Sequence, residues 1–180
     1  MPVARFYLGT PLRHVVGTAS LVAVIAGAAT VILWSFANTL ARNSDTLQAS
    51  QFAAALSPSD PRARYAYAND LEKTFDLDAI DRSLVEYEEA AALTPHNFLY
   101  WLALGQARER AGERPAAETA YRRALELAPN YGVAKWSLGN SLLRQGKVKE
   151  GIDLIRGAVE KDPSLAAPAV VAAMQVFDGD

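Results

Sequence analysis

The chain has no cysteine, which excludes disulfide frameworks, thiol nucleophiles and Cys-ligated zinc or iron–sulfur centres. Histidine is nearly absent as well: His14 and His96 are too few and too far apart for a His-rich metal site. Neither sign of charge dominates. Eighteen Lys and Arg face 20 Asp and Glu, a formal net charge of −2 with no basic run, so the electrostatic footprint of a nucleic-acid binder is missing. Neither Gly-x-Ser-x-Gly nor a phosphate-binding Gly-x4-Gly-Lys-Ser/Thr motif occurs. The nearest approach to paired carboxylates is Glu86, Glu88 and Glu89, where Glu86 and Glu89 read more simply as the solvated side of an amphipathic helix. The expectation is therefore no catalytic residue, no cofactor, no metal and no enzyme activity.

One local absence says more. Between Arg13 and Arg42 there is no Asp, Glu, Lys or Arg, and Val15 to Phe36 reads as 22 mostly apolar residues, which as a helix would span about 33 Å and match a bilayer core. Residues 1–14 are then an N-terminal tail and 15–37 a transmembrane helix in contact with the lipid bilayer, with Trp34 near its far end at headgroup level. The competing reading is a cleavable signal peptide with Ser35 and Ala37 before the cut, for which the apolar stretch is long against the usual run of about 7–15 residues. Arg5, Arg13 and the amino terminus precede the span, whereas Arg42 and Asp45 follow it. The positive-inside rule then keeps the N-terminus in the cytoplasm and places the remainder outside, in the periplasm for a single-pass protein of a bacterial inner membrane. Ala19, Ala23 and Gly27 recur every four residues and offer a seam for pairing two such helices.

Beyond the span, prolines punctuate the chain at Pro58, Pro95, Pro129 and Pro163, spaced by 37, 34 and 34 residues. At a shift of 34, Leu104 and Gly105 fall on Leu138 and Gly139, Ala117 on Gly151, Tyr121 on Ile155 and Ala124 on Ala158. A mid-helix glycine costs about 1 kcal/mol relative to alanine, so Gly105 and Gly139 imply a contact too close for a side chain, against large residues of the following helix. That helix carries Ala117, Ala120, Tyr121, Ala124 and Leu125 at helical spacing, with Glu118, Arg122, Arg123 and Glu126 on the opposite side. Gly112 and Gly146 fit the turn between paired helices. Trp101, Leu104, Gly105, Ala117, Tyr121, Ala124 and Pro129 together resemble the tetratricopeptide repeat family, departing from its pattern at Arg108.

The resemblance implies an all-α fold: a single N-terminal transmembrane helix followed by a tetratricopeptide-type α-solenoid of about three helix pairs plus a C-terminal helix. The repeat domain runs over 61–177, with units 61–95, 98–131 and 132–165 and a partial unit 166–177, and 38–60 forms a linker with a short helix. The three extra residues of the first unit fall in TFDLDAIDR, between its helices, and Ser83 keeps a packing position small. Leu165 to Phe177 carries no charge, so either the natural chain continues past Asp180 or this helix buries itself on a partner, for instance in a homo-oligomer through the C-terminal or the transmembrane helix.

By the same resemblance, the first helix of each unit lines a concave groove, and a protein or peptide is the expected partner. Asn69, Gln106 and Asn140 follow the small position of each first helix, and an amide both donates to and accepts from a peptide backbone. Tyr65, Leu102 and Trp136 would add apolar contacts, and Glu72 and Glu109 also fall on groove positions. The plainer reading is that these amides only solvate the groove. The family's carboxylate clamp for acidic chaperone tails requires Lys and Arg; here only Asn69 matches, and Tyr65, Ala103, Val133 and Ser137 do not. Acidic residues outnumber basic ones over 44–96 and the reverse holds over 97–163, so like arrays would attract head to tail. The function expected is a membrane-anchored scaffold or adaptor, chaperone-like or in envelope or secretion assembly. The alternative is a regulatory part of a larger membrane enzyme or polysaccharide export system.

Overall fold

The computed structural model describes residues 10–43, 47–74 and 76–177, and among them every regular element is helical. In chain order these are α1 (Thr10–Asn43), α2 (Leu47–Leu56), α3 (Pro61–Glu72), α4 (Leu77–Leu93), α5 (Phe98–Arg110), α6 (Arg114–Leu127), α7 (Gly132–Arg144), α8 (Val148–Val159), a 3-10 turn (Pro163–Leu165) and α9 (Ala166–Phe177). The fold is all-α, with a long apolar helix, the short α2, three successive helix pairs and a final helix. Arg5 and Asp45, which enter the orientation expectation, lie outside the described residues, as do the side chains of Arg13 and Arg42.

The spaced prolines sit where helix pairs meet. Pro58, Pro95 and Pro129 follow the ends of α2, α4 and α6, and the same bond closes each corner: Asp60 N–H to Ser57 O at 2.9 Å, Asn97 N–H to Thr94 O at 3.0 Å, and Tyr131 N–H to Ala128 O at 3.0 Å. Asp60 and Asn97 then cap α3 and α5 by accepting the N–H of Arg62 (2.9 Å) and Leu99 (3.0 Å). Within the second and third pairs the turn is also repeated. Gly112 and Gly146 take φ of +80° and +76°, a region that favours glycine. Glu113 N–H reaches Arg108 O at 2.8 Å and Lys147 N–H reaches Leu142 O at 2.9 Å.

The first pair turns without glycine, where the Thr74 hydroxyl and N–H both reach Leu71 O, at 2.7 and 3.1 Å. Its extra residues go mainly into the second helix rather than the loop the sequence suggested: α4 has 17 residues against 14 in α6, while the connection is only one residue longer than in the other pairs. Asp76 accepts the Asp78 N–H at 3.3 Å, and Asp78 itself lies in the first turn, where the positive end of the helix dipole favours an acid. An added turn satisfies backbone groups that a longer loop would leave to solvent.

Small residues let these helices approach. An ideal Cβ on Gly105 would lie 2.5 Å from the Tyr121 ring, and one on Gly139 would lie 2.7 Å from Ile155 Cγ1 and 2.9 Å from the Gly151 carbonyl. Ser83, 1% exposed, closes its hydroxyl onto Ile80 O at 2.8 Å. The core forms successive packets. One joins Ala68, Tyr87, Tyr100, Leu104 and Ala120 across α3 to α6, and the next joins Leu102, Tyr121, Ala134 and Leu138 across α5 to α7. Each pair therefore buries its apolar face on its neighbour.

At the N-terminal end α2 belongs to this core, since Ala53 and Ala54 pack with Ala63, Tyr67, Leu71 and Ala79. Helix α1 packs against both α2 and α3. Along α1, His14–Phe36 has a mean hydropathy of 2.2 and no burial, while Asn38 is half-buried. Among the described residues one helix is thus long and apolar enough to cross a membrane, and the same helix packs on α2 and α3. At the other end Val170, Val171 and Met174 of α9 are exposed, and a cavity of about 350 Å³ lined by Leu143, Ile155, Val159, Val170 and Ala173 lies between α7, α8 and α9.

Candidate functional site

The first helices α3, α5 and α7 are held in register by charge. Arg110 of α5 pairs with Glu72 of α3. Arg144 of α7 donates to Glu109 of α5 at 2.8 Å, and Ser141 donates to the other oxygen of the same carboxylate at 2.6 Å. Glu72 and Glu109, expected as groove residues, are therefore engaged in stitching one unit to the next. Glu72 also accepts from the Tyr87 hydroxyl at 3.3 Å. Burial, reinforced by the Glu72 carboxylate, pushes the Tyr87 hydroxyl far above its ordinary range, so it stays a neutral donor. Part of the charge asymmetry along the chain closes internally, because Arg108 reaches Glu88 at 2.5 Å as Arg110 reaches Glu72.

On this frame the six expected groove residues divide. Asn69, Gln106 and Asn140 are all half-buried, one on each first helix. Asn140 spends one N–H on Trp136 O at 2.9 Å, keeping its carbonyl and second N–H. Among the described residues Asn69 and Gln106 have no hydrogen-bond partner. Trp136 is half-buried beside Asn140. Tyr65 is half-buried too, but its ring packs against Tyr87 and Tyr100, with centroids 5.6 and 5.4 Å away. Leu102 departs most from the expectation: at 6% exposure it belongs to the core with Ala117 and Leu138, so it supports the face without lining it. None of three cavities of about 760, 500 and 350 Å³ is lined by the amides.

Sequence reasoning missed the stitching pairs, although their signal is present. Glu72 and Glu109 hold one repeat position, and Arg110 and Arg144 stand one unit later and one residue further on. It also missed the tyrosine cluster, in which Tyr100 comes from the following unit. Among the described residues no group of three or more His, Asp or Glu is placed to hold a metal ion.

A family model described as tetratricopeptide repeat matches residues 75–132 and 102–166, together just over half of the chain. No curated protein matches by sequence. Among solved structures, one of YrrB, described as a TPR protein with an unusual peptide-binding site, is similar at 22% identity and a TM-score of 0.67, covering 81% of this chain and 75% of that one. Two structures of MamA are similar at 19% and 17% identity, with TM-scores of 0.62 and 0.70. They cover 77% and 85% of this chain, and 81% and 83% of their own. At these identities the likeness speaks for the fold.

Proposed function

Because the chain belongs to the tetratricopeptide repeat family, we propose that it is a scaffold or adaptor, anchored in a membrane by α1, that holds an extended segment of another protein on the face formed by α3, α5 and α7. The observation that carries this is the pair of half-buried amides without partners, Asn69 and Gln106, continued by Asn140. A partly desolvated amide gains most from a ligand that both donates and accepts, which a peptide backbone does at every residue. Trp136 supplies an apolar anchor next to the last amide. The unusual peptide-binding site of YrrB supports a use of this kind for the fold.

Anchoring adds a second part to the function. A partner arriving at the same bilayer meets the face at raised effective concentration, without further contacts. The count of positive charges before the span supports an N-terminus in the cytoplasm and an array in the periplasm, at the inner membrane of a bacterium. Assembly of envelope or secretion components suits this layout, and the uncharged helix α9, with Val170, Val171 and Met174 exposed, offers a self-association surface. The test is to select peptides on the detergent-solubilised full chain and compare their affinity for a variant with Asn69, Gln106 and Asn140 all changed to Ala. A loss of about tenfold or more supports the amide ladder; an unchanged affinity overturns it.

A further inference from the structure

The first helices α3, α5 and α7 open the same stripe to solvent. Residues at i, i+4, i+7 and i+11 share one side of an α-helix, and counting from Arg62, Leu99 and Val133 gives four rows that run across the array. The first row is Arg62, Leu99 and Val133, all exposed. The second is small, with Ala66, Ala103 and Ser137, and the third is the three amides. The fourth is Lys73, Arg110 and Arg144, again exposed. At the rise of an α-helix the outer rows stand about 16 Å apart, with the small residues and the amides between them.

The two outer rows differ in chemistry. In the fourth, every cation lies outside its partner acid: Lys73 on Asp70, Arg110 on Glu72 and Arg144 on Glu109 set side chains that are 49–64% exposed over carboxylates that are 8–20% exposed. The C-terminal end of a helix favours a cation, and the deeper acid leaves the positive end of each pair toward solvent. Arg110 and Arg144 each donate to that acid through one nitrogen among the described residues, so most of the five N–H groups of each guanidinium are open to a ligand. In the first row Leu99 and Val133 are 47% and 45% exposed, and no other large apolar side chain of α5 or α7 is exposed. Arg62 takes their place on α3.

The direction of a bound backbone then assigns its side chains. In an extended chain the N–H and C=O groups lie at right angles to the side chains, which alternate between two sides. A segment crossing the helices with its backbone turned to the amides therefore sends successive side chains to opposite outer rows. The small second row gives that backbone room to approach. We propose that the segment held on this face alternates acidic and apolar side chains, with acids toward Lys73, Arg110 and Arg144 and apolar groups toward Leu99 and Val133. This names the partner class of the proposed scaffold and rests on that reading. The acids meet charged donors already at the surface, and the apolar groups cover side chains that otherwise face water.

The test measures fluorescence anisotropy of three labelled peptides with the detergent-solubilised full chain: Glu alternating with Val, Lys alternating with Val, and Glu alternating with Ser. Each has about eight residues, which at about 3.3 Å per residue cross three helices spaced by about 8–10 Å. The Glu/Val peptide is expected to bind about tenfold more tightly than either comparison, and to lose affinity as salt rises. Lys73→Gln and Val133→Asn change exposed positions outside the unit-to-unit pairs. The first weakens the Glu/Val and Glu/Ser peptides alike, by about threefold; the second weakens only the Glu/Val peptide. A preference missing against either comparison, where binding is still lost when Asn69, Gln106 and Asn140 are all changed to Ala, overturns the alternation and leaves the amide face standing. Binding of no peptide, or binding indifferent to the amide substitutions, overturns the face itself and the alternation with it.

Discussion

Glu118, on α6, shows how a single residue ties the array together. Burial alone would push its carboxyl up, but hydrogen bonds from Lys147 and Arg122, with their charges, hold it below the ordinary carboxylate range. Lys147 donates at 2.7 Å from the turn before α8, and Arg122 also reaches Glu150 on α8 at 2.7 Å. A carboxyl whose folded pKa is depressed adds stability above its unfolded pKa and loses it as pH falls through the folded value. Glu118→Gln should therefore cost about 1 kcal/mol near neutral pH, a modest figure because both cations are half exposed. The difference from the parent chain should shrink as pH drops below the ordinary value of 4.5. Urea denaturation followed by tryptophan fluorescence at several pH values reads this directly, and a pH-independent difference would contradict it. At this scale the sequence was legible where chemistry is local. Gly105 and Gly139 announce close packing because nothing else explains glycine inside a helix. The Glu72–Arg110 and Glu109–Arg144 pairs stayed hidden because their members are 38 and 35 residues apart and meet only through stacking of the units.

Between helices, the decisive contact is glycine against a large side chain. Gly105→Ala recovers about 1 kcal/mol of helix propensity, but its new Cβ would stand 2.5 Å from two atoms of the Tyr121 ring. Overpacking of this kind costs about 1–3 kcal/mol, and Tyr121, 3% exposed among Ala117, Ala124 and Leu138, has little room to retreat. The clash should win, lowering the urea midpoint. A raised midpoint would mean that α5 and α6 are less closely packed than described. Helix pairs were legible from proline spacing and the 34-residue shift, because each corner repeats one hydrogen-bonding scheme. The site of the extra residues in the first pair was less so. A spacing of 37 reveals an insertion, yet whether it becomes loop or helix depends on whether a cap such as Asp76 can start the helix earlier.

For the whole molecule, the packets of core running from α2 to α8 make stability a matter of neighbours, and α1, which carries the apolar segment, packs on α2 and α3. A binding face on the first helices is what the resemblance implies. Its composition was less legible, since Leu102 looks from sequence like a lining residue and becomes core once α6 and α7 close over it. The amides carry the functional claim, and one measurement addresses it most directly. A photoreactive amino acid is placed in the full chain at Gln106 on α5, or at Arg123 on the opposite side of the α6 pattern, and irradiated with a selected peptide. Crosslinking from position 106 and none from position 123 is the predicted result; adducts confined to position 123 would contradict a binding face on α3, α5 and α7.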